Sequence, residues 1–95
     1  MSLSVPSSVT NIESRINLNI NKFVVSGDNN NYSSKDGVLF NKDGKTLISV
    51  PSYYEKLEYV IDAENISSYA LMNNIILKTI TLTDSVKSIE RNAIY

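Results

Sequence analysis

Ala63-x-x-Ile66-x-x-x-Ala70 and Val86-x-x-Ile89-x-x-x-Ala93 carry small or branched apolar residues at one spacing, 23 positions apart. Self-similarity at a fixed period of about 20–50 residues is the mark of a repeat architecture. A third block, Val9-x-x-Ile12-x-x-x-Ile16, has the same spacing upstream. The 23-residue offset also aligns Leu57 with Ile80 and Tyr59 with Leu82, so a short alternating segment precedes each of the last two blocks. Leu57-Glu58-Tyr59 and Ile80-Thr81-Leu82 place apolar side chains at i and i+2, the period of a strand with one buried face, which points Glu58 and Thr81 outward. Phe23 and Val25 give the same alternation earlier in the chain. Such short strands are unstable alone. Stacked about 4.8 Å apart in a parallel ladder, they bury a continuous core.

Between the strands, 68–77 has apolar residues compatible with one or two helical turns, so a short helix or 3₁₀ turn is expected there. The period breaks over 26–54, which has the character of an insertion. Gly27-Asp28-Asn29-Asn30-Asn31 is turn chemistry, because Gly and Asn tolerate positive φ and Asx side chains bond nearby backbone. Val38-Leu39-Phe40 and Thr46-Leu47-Ile48-Ser49-Val50 flank Asp43-Gly44, which predicts a β-hairpin, and Pro51 ends its second arm. The expected organisation is one domain, 1–95, with repeat units over about 4–25, 55–77 and 78–95 and a hairpin insertion over about 26–54.

Composition narrows the chemistry. The chain has no Cys and no His, which removes thiol nucleophiles, disulfides, thiolate metal sites and the commonest general base near neutral pH. A net charge of -1 gives no electrostatic footprint for nucleic acid. Apolar runs such as Ile75-Ile76-Leu77 are far shorter than a membrane span requires. The segment from Met1 to Pro6 has neither the basic nor the apolar region of a secretory signal.

At these residues the sequence resembles the BspA-like leucine-rich repeat family. The resemblance is clearest at Thr81-Leu82-Thr83-Asp84-Ser85-Val86-Lys87-Ser88-Ile89-Glu90-Arg91-Asn92-Ala93. A second match is the run from Asp28 to Leu47, similar to that family's hairpin. Ile16-Asn17 and Ala70-Leu71 depart from the usual Ala-Phe pair, and Asn74 stands where many members carry Cys. The resemblance implies an α/β solenoid: a right-handed leucine-rich repeat with short parallel strands, short convex helices or turns, and an inserted β-hairpin. It also implies a secreted or surface-attached bacterial protein with a role in adhesion, and hence an extracellular or cell-surface location.

Asp28, Asn30 and Tyr32 alternate as calcium ligands would, but a loop with one carboxylate lacks the charge of a tight site, so turn-forming Asx bonds are favoured and no metal is expected. Neither a Ser-Lys nucleophile nor an acid-base carboxylate pair such as Glu55 and Glu58 has a recognisable setting, so the chain is expected to be non-catalytic and without a cofactor. Tyr59 falls at an inward position, and packing is favoured over recognition for Tyr53 and Tyr54. The outward strand face remains: Lys22, Val24, Lys56, Glu58, Thr79 and Thr81 are the candidate binding residues for a protein or other macromolecular ligand at a cell surface. The alternative is a structural spacer, self-associating end to end through uncapped strand edges.

Overall fold

The computed structural model describes residues 2–12, 20–71, 74 and 76–93. Among these residues the regular structure is entirely strand: β1 Ser2–Val5, β2 Lys22–Val25, β3 Tyr32–Lys35, β4 Val38–Asn41, β5 Thr46–Ser49, β6 Glu58–Ile61, β7 Asn65–Ile66, β8 Thr79–Leu82 and β9 Ser88–Ile89. β1 pairs with β2 and β6 with β8, both parallel, while β5, β7 and β9 form a second parallel ladder. The chain therefore passes from β6 across to β7, back to β8 and across again to β9. It is a β-solenoid, with like strands of successive coils stacked on one another.

Backbone hydrogen bonds join the coils between strands as well. Glu64 N–H donates to the Lys45 carbonyl at 2.8 Å, Val50 N–H to Ala70 at 2.8 Å, and Leu71 N–H to Ala93 at 2.9 Å. Those contacts explain a departure from expectation. Where a short helix or 3₁₀ turn was expected over 68–77, Ser68 to Leu71 form a turn, and no helix occurs among the described residues. Tyr69 has φ of 62°, which ends any right-handed helix, and its N–H donates to Asn92 of the next coil at 2.8 Å instead of to its own turn. The α/β expectation is corrected accordingly to all-β for these residues. Ile16 of the first apolar block, with Met72, Asn73 and Ile75 of the predicted helix, lies outside the described residues.

The register also differs. β7 and β9 keep the 23-residue offset, Asn65 opposite Ser88, but β6 and β8 pair at 21, with Glu58 opposite Thr79 and Tyr59 opposite Ile80. Tyr59 thus pairs with Ile80 and not with Leu82, and Leu57 precedes the strand, 60% exposed where it was expected inward. The connection from β8 to β9 is longer by two residues than that from β6 to β7. An even difference keeps alternate side chains on the same face, so Glu58, Thr79 and Thr81 still point outward.

The segment 26–54 is an antiparallel meander, β3–β4–β5, whose last strand is also the first rung of the β5–β7–β9 ladder. Asp36 and Gly37, at φ of 54° and 81°, make the two-residue turn between β3 and β4; Gly44, at 77°, lies in the Asp43-Gly44 turn. All three residues of Val38-Leu39-Phe40 are buried, because β4 is covered on both faces. Leu39 joins Ile20, Phe23 and Tyr32 in one cluster, whereas Val38 and Phe40 join Leu47, Ile61 and Ile66 in another. The hairpin is a partition between two halves of the core.

Candidate functional site

The partition controls what happens to the outward strands. The segments that lead into β2 and β6 lie side by side: Tyr53 N–H donates to the Ile20 carbonyl at 3.0 Å, and the Asn21 amide to a Glu55 carboxylate oxygen at 3.2 Å. Beyond that point the hairpin separates them. Phe23 N–H donates to the Gly37 carbonyl at 2.8 Å and Val25 N–H to Ser34 Oγ at 3.0 Å, which closes the β2 edge that faces away from β1. Gly37 is required here twice over. Its φ is positive, and a Cβ would come within 2.7 Å of Lys22 Cβ.

Among the described residues, β6 has no such cover. Leu57 C=O accepts from Lys78 and Thr79, and Ile61 C=O from Thr83, so odd-numbered residues face β8. By strand alternation the N–H and C=O groups of Glu58 and Val60 face the other way, where no strand of the described residues pairs with them. An open groove of about 710 Å³ lies along this edge, lined by Asp36, Tyr54, Lys56, Leu57, Glu58, Tyr59, Val60 and Thr79.

The floor is aromatic and the rim charged. Tyr54 and Tyr59 meet edge to face with centroids 5.5 Å apart and an interplanar angle of 83°. Burial pushes both phenols above their ordinary pKa; Asp36 adds to this at Tyr54, and Tyr54, Asp36 and Asp62 add at Tyr59. Both rings are therefore neutral at physiological pH. Asp36 and Glu58 have no ion-pair partner among the described residues. Two carboxylates thus face one ammonium, that of Lys56, around the groove.

All six candidate residues are exposed, but the structure does not gather them. Lys56, Glu58 and Thr79 line the groove. Lys22 stands on the far side of the hairpin turn against Gly37, Val24 belongs to the separate β1–β2 sheet, and Thr81 lies beyond the lining. Asp36 and Val60 were missed. Asp36 was legible: Asp36-Gly37 between two four-residue strands carries the same hairpin signal as Asp43-Gly44. Val60 was hidden by the register. The other candidate loop is structural, since buried Asn29 accepts from Asn31 and Tyr32 N–H, both at 2.8 Å, and donates to Pro6 and Val9. The Tyr32 hydroxyl accepts from Ile12 N–H at 2.7 Å.

Coils of short parallel strands, joined by inter-coil backbone bonds and interrupted by an antiparallel meander, define a repeat solenoid. The fold has solved counterparts. A leucine-rich repeat protein from Eubacterium ventriosum matches with a TM-score of 0.91 and 31% identity, over 99% of this chain and 27% of that one. The pneumococcal vaccine antigen PcpA matches with a TM-score of 0.83 and 29% identity, over 93% of this chain and 23% of that one. Both neighbours are consistent with the bacterial leucine-rich repeat resemblance that the sequence motifs carry. The chain spans about a quarter of the length of these two neighbours. No family model and no curated protein matches the sequence.

Proposed function

We propose that the chain is a non-catalytic protein-binding segment of a bacterial surface or secreted protein, with a role in adhesion. The observation that carries this is the character of the outward strand positions. On the β6–β8 sheet Val60 is 54% exposed among Glu58, Thr79 and Thr81, and on the separate β1–β2 sheet Val24 is 46% exposed beside Lys22. Exposed apolar side chains framed by charged and hydroxyl groups have the makeup of a recognition surface. The likeness to a leucine-rich repeat protein and to a vaccine antigen supports the same reading. A direct test is a binding screen of the purified domain against extracellular host and matrix proteins, repeated with Glu58→Arg combined with Thr81→Arg. Loss of the detected interaction with the fold intact is the expected outcome; unchanged affinity removes this face from the account.

A second reading, stacking through the coil ends, has its own support. Ile89 pairs with buried Ile66, yet is itself half exposed, as is Leu82 opposite buried Ile61. Another coil or another copy of the chain would cover this area. Sedimentation at several protein concentrations separates the cases, with concentration-dependent growth expected only for stacking between copies.

A further inference from the structure

The open edge of β6 differs from the other free edges of the solenoid. The outer edges of β1 and β8 are where additional coils of a longer solenoid would pair. The β6 edge lies inside the stack, with the segment before β2 bonded to the segment before β6 through Ile20 and Tyr53. Adding coils at either end leaves it open. It is unpaired because the Asp36-Gly37 turn has taken the place of a neighbouring strand on β2.

We propose that this edge takes up an extended peptide segment of a partner protein as an added strand. The proposal rests on the binding-module reading above and locates the contact. The backbone supplies the affinity: Glu58 and Val60 direct N–H and C=O groups into the groove, the arrangement that lets a strand join a sheet edge. The space suits such a ligand, since about 710 Å³ falls within the range of roughly 300–1,000 Å³ typical of binding clefts.

Alternation sets the side-chain preference. A residue placed opposite Glu58 shares its outward face, beside two carboxylates lacking ion-pair partners, Glu58 and Asp36. That position selects Lys or Arg. A residue opposite Tyr59 points to the inner face, over the Tyr54–Tyr59 pair, and is apolar. The occupant is thus an extended segment alternating basic and apolar residues.

A blocked, fluorescein-labelled Lys-Val-Lys-Val-Lys peptide, titrated by anisotropy at low salt, provides the probe. Val60→Pro removes the N–H that faces the groove and leaves the bonds to β8, a substitution that sheet edges tolerate. Affinity is expected to fall by about tenfold or more. Glu58→Lys should weaken binding by a similar factor, and salt should weaken binding to the unaltered protein. Lys45→Ala, exposed at the hairpin tip and off the groove, should leave the peptide bound. If Val60→Pro does not fold, a peptide N-methylated at alternate residues tests the same backbone bonds from the ligand side and should not bind.

Failure of the probe to bind at millimolar concentration overturns the strand-addition proposal. So does binding that is indifferent to both Val60→Pro and N-methylation. If Glu58→Arg combined with Thr81→Arg abolishes binding of a partner protein while Val60→Pro leaves it unchanged, strand addition is overturned and the outward face is sustained as a binding surface. A dimer that Val60→Pro dissociates, and that excludes the peptide, assigns the edge to a second copy of the chain instead.

Discussion

β2 and β6 are equivalent four-residue strands, each with a single parallel partner, yet their second edges have opposite fates. On β2, the amides of Phe23 and Val25 are bonded to the hairpin through Gly37 and Ser34. On β6, the corresponding groups of Glu58 and Val60 face a groove with acidic and basic groups at its rim. One insertion produces both outcomes. The meander closes the edge behind it, divides the core, and holds the next strand away from the position it would otherwise fill. In a repeat protein, where each coil contacts only its neighbours, a local wedge can open a site without loss of the stack on either side.

Substitutions put this contrast to the test. The largest effect is expected from Leu39→Ala. Its side chain is fully buried in β4, and a loss of about 2–5 kcal/mol in chemical denaturation follows from the cavity left behind. A loss below about 1 kcal/mol would make the hairpin an appendage and not a wall. Gly37→Ala comes next, at about 2–4 kcal/mol, because positive φ and the approach to Lys22 both oppose a Cβ.

A smaller effect separates the aromatic floor from the rest. Tyr54 and Tyr59 have pKa values raised by burial, so they stay protonated in the fold after the unfolded chain begins to ionise. Their contribution is complete below the ordinary tyrosine value of 10.0 and is lost as pH rises beyond it. Stability should therefore fall above about pH 10, and less steeply in Tyr59→Phe; identical alkaline limbs would show that the groove floor is not desolvated. Leu57→Ala has the least expected effect, within about 0.5 kcal/mol, since the side chain is largely in solvent. A core-sized loss would restore the inward position given to it by the 23-residue offset.

The sequence made the solenoid legible because Ala63, Ile66 and Ala70 recur as Val86, Ile89 and Ala93, and because β7 and β9 keep that offset. Outward positions were legible too, since alternation survives a two-residue change in register. The change itself was not. It arises in the β8–β9 connection, and a constant period conceals unequal connections on the two sides of a coil. Of the short helix or 3₁₀ turn expected over 68–77, Ser68 to Leu71 form a turn for a tertiary reason: the Tyr69 and Leu71 amides bond to the neighbouring coil, which apolar spacing does not report. Equally invisible was the second role of 26–54, where turn chemistry announced a hairpin but not β4 buried on both faces. The groove depends on that role, so Lys56, Glu58 and Thr79 were named for their outward alternation, while Asp36 and Val60, which complete the site, were not.

The sharpest test is backbone amide hydrogen exchange, resolved residue by residue. Phe23 and Val25 should be protected by the hairpin, and Glu58 and Val60 should exchange far faster although their strand is equally regular. Equal protection at all four amides would show that β6 has no open edge, and would contradict the division of the solenoid by its hairpin.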